Sequence, residues 1–250
     1  MGDAADERET LLGLLERANA VFLDFDGPVC DLFGDVSTAP VAREIKKAVR
    51  AVWQSDLGPD IERCDDSHGI LRHVRDLHEG PLPVPPRLRE AIEEAERIVR
   101  EQEYAAIESA RPAPGVTDLV RALRDMGMRL AIVSNNAPGP VESYLERKGL
   151  RWAFKGVIIG RDPHEPHNMK PHPDSVDRAL KSLGGLPPSS CILIGDQITD
   201  LLAAQAAGTR FIGYTQSPER AAEMRELGAD AVVSSHTPLI DAAEALRKPN

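Results

Sequence analysis

Short, unbroken apolar runs alternate with amphipathic stretches along the second half of this chain. The runs at 129–134 (RLAIVS), 156–160 (GVIIG), 191–194 (CILI), 210–214 and 231–234 have the length and β-branched content of strands. A strand that is apolar on both faces belongs in a sheet covered on both sides. Between these runs, residues 114–126, 140–148, 173–183, 198–207, 218–227 and 238–246 carry helical spacing, and Gly149 and Gly208 stand where a helix ends. An earlier run at 21–25 (VFLDF) matches the same sheet by composition. The alternation predicts an α/β fold, a Rossmann-like parallel sheet with helices on both faces.

Residues 34–111 break this rhythm. Their periodicity predicts helices at 40–53, 67–77 and 87–109 and no strand. Pro-rich joints (Pro81, Pro83, Pro85, Pro86, then Pro112 and Pro114) bracket the longest of these helices. The pattern reads as a small all-helical domain inserted after the first strand, with hinges near 34–38 and 110–115. Residues 1–33 and 112–250 then form the α/β core, and 34–111 the insert. A helical layer packed permanently on the sheet is the alternative.

The 250 residues are 42% hydrophobic, enough for a large core plus a smaller one. A formal net charge of −10 without a basic patch argues against nucleic acid or an acidic membrane as partner. It does not argue against a small anionic substrate. No apolar run approaches 18 residues, so no membrane span is expected. The first 18 residues are acidic and amphipathic, unlike a signal peptide, and Gly2 is not followed by Ser or Thr at position 6. Cys30, Cys64 and Cys191 lie far apart and read as reduced thiols of a cytoplasmic protein. Cys30, near an acidic pair but with no basic neighbour in sequence, reads as core filler.

The first strand ends in Asp24-Phe25-Asp26-Gly27. In extended chain the two acids point to one face. Carboxylates this close repel unless a cation or a shared proton compensates them. A solvated acidic turn is the simpler reading of that tetrapeptide alone. Other strand ends also carry polar groups: Ser134-Asn135 after 129–133, and Gly195-Asp196 after 191–194, with Asp200 in the next helix turn. Lys170-Pro171 lies in the loop after 156–160. A parallel sheet brings all of these to one edge. Asp24, Asp196 and nearby oxygens suit Mg²⁺. Magnesium and a lysine together neutralise phosphoryl oxygens, which Ser134 can also hydrogen-bond. One carboxylate can attack phosphorus, and the second can pass a proton to the leaving oxygen.

With these four motifs in this order, the chain resembles the haloacid dehalogenase (HAD) superfamily, in its magnesium-dependent phosphatase branch, similar to phosphoglycolate phosphatases. The chain has only seven lysines, which makes Lys170 at this position informative. The resemblance implies a HAD fold and roles residue by residue. Asp24 would be the nucleophile that forms an aspartyl-phosphate. Asp26 would be general acid, then base, with its backbone carbonyl on the metal. Asp24 and Asp196 would ligate Mg²⁺, and Asp200 would act through a water or by orienting neighbours. Gly27, Ser134, Asn135 and Lys170 would meet the phosphoryl group. The chain departs from the family at Pro28, which lacks an N–H, and at Gln197, where small residues are common.

The insert's position resembles a type 1 cap, a mobile helical lid, entered through a flap at 31–35. Arg43, Lys46, Arg63, His68, Arg72 and His73 are its candidate substrate contacts. His164, His167 and His172 flank Lys170 without a metal-ligand spacing. Trp53 and Trp152 read as packing residues. The resemblance thus implies a phosphoric monoester hydrolase acting on a small phosphorylated metabolite such as a sugar phosphate, phosphoglycolate or a nucleotide, as a monomer or homodimer. A phosphomutase of the same superfamily keeps every one of these residues. A catalytically silent binding protein usually loses Asp24, Asp26 or Lys170, and all three are present.

Overall fold

The computed structural model describes residues 3–34, 37–77 and 85–247; Gly2, Asp35 of the flap, Val36 of the first hinge and the joints Pro81 and Pro83 lie outside the described residues. In chain order the elements are α1 (Asp3–Arg17), β1 (Ala20–Leu23), β2 (Cys30–Asp31), α2 (Ala39–Trp53), α3 (Gly58–Arg63), α4 (Ser67–Asp76), α5 (Pro86–Ser109) and β3 (Arg111–Pro112). Then follow α6 (Val116–Asp125), β4 (Arg129–Val133), α7 (Pro138–Arg147), α8 (Arg151–Phe154), β5 (Ile158–Ile159) and α9 (Asp174–Ser182). The chain closes with β6 (Cys191–Gly195), α10 (Ile198–Ala207), β7 (Arg210–Tyr214), α11 (Pro218–Glu226), β8 (Ala231–Val233) and α12 (Thr237–Leu246).

Six strands pair in the order β5-β4-β1-β6-β7-β8, every pair parallel. The expected α/β sheet is therefore present. Leu23 of β1 is level with Ile132 of β4 on one side and Ile194 of β6 on the other. Just past β1, the Asp24 N–H still donates to the Ile194 carbonyl at 2.9 Å. The chain thus leaves three adjacent strands at one height, at the point where strand order reverses direction, the usual ligand position in such sheets.

Alternation along β1 divides the packing. Val21 and Leu23 join Ile132, Ile194 and residues of α1, α6, α7 and α12 in one buried cluster. Ala20 and Phe22 join Val133, Leu193, Val176 of α9 and Leu201 of α10 on the opposite face. Both faces of the sheet are dry, which explains the unbroken apolar runs. β5 is the exception: its two residues lie at a sheet edge and are half-buried, so GVIIG is a shorter strand than its composition predicts.

Helices α2 to α5 build a third cluster, from Ile45, Val49, Ile61, Ile70, Val74, Leu88, Ile92 and Val99. Met169, from the loop before Lys170, is the sheet-side residue in it. The last turn of α5 instead delivers Ile107 to the sheet's own cluster. The expectation of no strand in 34–111 needs one correction. Arg111, its last residue, pairs in β3 with Asp31 of β2, and Pro112 pairs with Cys30. Two residues are too few for a period to reveal. The short helices α3 and α8 escape sequence reading for the same reason.

Two smaller expectations divide. Trp53 packs at the margin of the insert's cluster. Trp152 is 53% exposed and packs little, because the four-residue α8 turns it outward. Cys30 is fully buried, its Sγ directed at the Phe25 carbonyl at 3.6 Å, and burial pushes its thiol up, out of nucleophile range. Among the described residues no helix is long and apolar enough to cross a membrane.

Candidate active site

Four segments that are distant in sequence converge above β1. Asp24, Asp196 and Asp200 each offer a carboxylate oxygen, and these atoms lie within 4.8 Å of one another. Lys170 reaches into the same space. Its Nζ donates to the Val133 carbonyl at 3.1 Å and pairs with Asp24 Oδ1 at 2.8 Å and Asp200 Oδ1 at 2.5 Å. Lys170 is only 2% exposed, and the two carboxylates drive its pKa up against the opposing effect of burial.

The charges do not balance: three carboxylates face one ammonium. Burial, then the charges of Asp24, Asp200 and Asp26, push the Asp196 carboxyl up to about 8. Burial also raises Asp24, outweighing the attraction of Lys170. Asp196 Oδ1 is buried and has no hydrogen-bond partner among the described residues. A hard divalent cation fits these observations, since it takes oxygen donors and supplies the missing charge.

This arrangement has a consequence for stability. A carboxyl raised in the folded chain holds a proton at pH values where the unfolded chain has lost it. Stability then falls as pH rises from about 4 towards about 8. In a chelator, the melting temperature should drop across that interval, and Mg²⁺ should lift it most at the upper end. A melting temperature equally insensitive to pH and to Mg²⁺ would contradict the charge imbalance.

Asp26 stands beside this cluster rather than in it. Its side chain is not one of the three clustered carboxylates, and its Oδ1 accepts from the Leu32 N–H at 2.9 Å. Burial raises its pKa above the usual carboxylate range. Ser134 is 1% exposed, and its Oγ accepts from both the N–H and the side-chain amide of Asn136, each at 3.1 Å. With both lone pairs engaged, the hydroxyl hydrogen is free to be donated to a ligand. Asn135 grips the backbone of Lys170 at both ends: its Oδ1 accepts from the lysine N–H at 2.8 Å, and its Nδ2 donates to the lysine carbonyl at 3.2 Å.

The turn after β1 accounts for the two departures. Gly27 has φ +94°, and a Cβ there would come within 2.7 Å of the Asp196 carboxyl carbon, so only glycine fits. The turn is closed by the Gly27 N–H on the Cys30 carbonyl (2.7 Å) and the Cys30 N–H on the Phe25 carbonyl (3.1 Å). Neither bond uses the N–H that Pro28 lacks. The Pro28 carbonyl is held by buried His236 through Nε2 at 2.8 Å. Gln197 donates its side-chain amide to Asp196 Oδ2 at 2.6 Å, and its backbone N–H donates to Asp200 Oδ2 at 3.0 Å.

A cavity of about 350 Å³ opens over these groups, lined on the sheet side by Asp24, Asp26, Ser134, Asn135, Lys170 and Asp196. Across it stand Phe33, Thr38, Asp66, His68 and Arg72. Of the six insert residues proposed as contacts, His68 and Arg72 face the cavity because they lie one turn apart on α4. The other four do not. Lys46 is drawn to the Glu62 carbonyl and Asp65, His73 lies by Asp76, and Arg43 and Arg63 are exposed. His167 lies 3.2 Å from Asp76, and His172 Nδ1 accepts from the Asp174 N–H; His164 is exposed.

Sequence reading missed Asn136, Asp66 and the buried Arg161. Asp66 left a usable signal: it precedes Ser67-His68-Gly69 as a helix cap, and its carboxylate accepts from the N–H groups of His68 and Gly69. Arg161 left none, since its acidic partners are more than 50 residues away.

A family model described as haloacid dehalogenase-like hydrolase matches residues 18–208. The chain belongs to this family. As a HAD-like hydrolase it is an enzyme. It is 29% identical over 233 residues, covering 92% of this chain and 96% of the relative, to a phosphoglycolate phosphatase of Nitrosospira multiformis. An N-acetylmuramic acid 6-phosphate phosphatase of Pseudomonas aeruginosa is 28% identical over 235 residues, with 90% and 94% covered. Among solved structures, a HAD family hydrolase of Deinococcus radiodurans with bound phosphate and sodium is 27% identical, with a TM-score of 0.55 and coverage of 94% of this chain and 99% of that one.

Proposed function

We propose that this HAD hydrolase is a magnesium-dependent phosphatase of small phosphomonoesters, working through an aspartyl-phosphate on Asp24. The observation that carries the reading is the convergence of Asp24, Asp196, Asp200 and Lys170 within contact distance at the edge of the sheet. The phosphatase names of the relatives support it.

Asp24, Asp196 and Asp200, with the Asp26 carbonyl, are the residues that would hold Mg²⁺. When bound, the ion supplies positive charge against the phosphoryl oxygens. The chain's own residues do the rest. Ser134 donates its free hydroxyl hydrogen to a phosphoryl oxygen, and Lys170 favours the ionised form of Asp24 against burial and offsets charge as the ester approaches. An Asp24 oxygen forms a bond to phosphorus as the ester P–O bond breaks. Asp26, whose burial favours the protonated form, gives its proton to the leaving oxygen. The resulting carboxylate then takes a proton from water as that water attacks the phosphorus of the aspartyl-phosphate, releasing inorganic phosphate.

In this reading α2 to α5 form a cap over the cavity, excluding bulk water during the reaction. A volume of about 350 Å³ suits a small ester such as a sugar phosphate or phosphoglycolate. The chain would work in the cytoplasm, where such metabolites and free thiols coexist.

The test is a screen of about a hundred phosphorylated metabolites for released phosphate, with Mg²⁺ and with chelator. Magnesium-dependent release from a small ester supports the reading; no release from any ester rejects it. Conversion of a hexose 1-phosphate to the 6-phosphate, with no free phosphate, would instead favour the phosphomutase.

A further inference from the structure

Behind the cavity wall, the insert and the sheet side share a charge cluster. Arg161 follows β5, and its side chain is fully buried. Its Nε and Nη2 donate to the two oxygens of Glu96 at 2.7 and 2.8 Å. Its Nη1 donates to Glu103 Oε1 at 2.5 Å and to the Asn135 carbonyl at 3.1 Å. Glu103, also fully buried, accepts from the Ala137 N–H through Oε2 at 3.1 Å. Its Oε1 lies 2.9 Å from His68 Nε2. Both glutamates belong to α5 and His68 to α4, whereas Arg161, Asn135 and Ala137 belong to the sheet side.

Buried ion pairs are weak sources of stability, because desolvation consumes most of their attraction. They are strong sources of geometry. The two nitrogens of an imidazole sit on different sides of the ring, so fixing one directs the other. With Nε2 on Glu103, His68 lines the cavity, and its Nδ1 makes no hydrogen bond to any described residue. Phe33 meets the ring edge-on with centroids 6.5 Å apart, restricting rotation. Arg161 also holds the carbonyl of Asn135, whose side chain grips the Lys170 backbone. One cluster therefore sets the height of the insert's wall against the lysine below it.

Resting on the phosphatase reading above, we propose that His68 contacts the bound phosphate ester through Nδ1, and that Glu103, itself held by Arg161, is the positioning residue for that contact. Glu96 is the internal control. It pairs with Arg161 as closely as Glu103 does, yet does not touch His68.

The experiment measures kcat/KM for p-nitrophenyl phosphate in Glu103→Gln, Glu96→Gln, His68→Ala and the His68→Ala/Glu103→Gln double variant. Glu103→Gln and His68→Ala should each lower kcat/KM by about 10- to 100-fold, as misplacement of a contact does, and Glu96→Gln by less than about threefold. The double variant should be no worse than His68→Ala alone, because Glu103 acts through His68. Equal losses in Glu96→Gln and Glu103→Gln, or losses that multiply in the double variant, overturn the proposal. Should Glu103→Gln not fold, His68→Asn and His68→Gln decide. Asn places an amide nitrogen near the Nδ1 position and Gln near the Nε2 position, so Asn should retain more activity; equal activity overturns the proposal. A wild type that releases no phosphate sinks the phosphatase reading separately. The ¹⁵N shifts of the His68 ring then serve as readout: they should move in Glu103→Gln and stay in Glu96→Gln, and any other pattern overturns the positioning role.

Discussion

Asp24→Asn should abolish phosphate release from p-nitrophenyl phosphate while leaving the fold intact. The amide matches the carboxylate in shape but cannot attack phosphorus at a useful rate. Loss of a nucleophile costs on the order of 10⁴- to 10⁶-fold in kcat. The substitution also removes one of three clustered carboxylates, so the remaining acids repel less. The Asp24→Asn variant should therefore melt no lower than wild type in chelator at about pH 8, where the raised carboxyls are otherwise most costly. This pairing of a dead enzyme with an undiminished melting temperature separates loss of chemistry from loss of structure. A variant that retains wild-type turnover would remove Asp24 from the nucleophile's role.

Asp26→Ala should slow turnover by roughly 10²- to 10⁴-fold, the usual worth of a positioned general acid. The size of the loss should depend on the leaving group. A good one, such as p-nitrophenolate, departs with little help, and an alkyl alkoxide needs the proton. The deficit should therefore be smaller for p-nitrophenyl phosphate than for an alkyl phosphate. Asp26 also accepts from the Leu32 N–H. Asp26→Asn keeps an oxygen for that bond while losing the proton relay, so it distinguishes acid catalysis from support of the flap. Activity near wild type in Asp26→Asn would mean that the side chain serves the flap alone.

How much of this was legible from the sequence depends on how local each signal is. The strands at 129–133, 191–195 and 210–214 could be read because both faces of the sheet are buried, leaving unbroken apolar runs. The proposed site could be read because Asp24, Ser134 and Asp196 stand at or just beyond such runs and parallel pairing brings them together, with Lys170 added from the loop after β5. Asp24 and Asp196 are separated by 172 positions in the numbering, yet they stand only one and two residues beyond the paired Leu23 and Ile194. The insert was legible as helices but not as contacts. Amphipathic spacing tells which face is apolar, not which polar residue on the other face meets the sheet side. His68, Arg72 and His73 stood out among the six because they follow an acidic loop at a helix start, yet nothing in the spacing told His73 from the two that face the cavity until α4 was placed. Arg161 was invisible because nothing within its own segment explains a buried guanidinium; its reasons are Glu96 and Glu103, on a helix from the other part of the chain.

The β2–β3 ladder places the insert's entry and exit on neighbouring rails. Nearly eighty residues leave and rejoin the sheet as though they were one long hairpin loop, and the strand order is indifferent to what hangs there. Such a layout favours exchange: specificity can be traded between cousins by transplanting the whole excursion, with the chemistry below left standing. Arg161 sets a condition on that trade. A donor segment lacking acids to match those at 96 and 103 would strand a cation in a dry interior, so chimeras should be built with both ends of that handshake or neither.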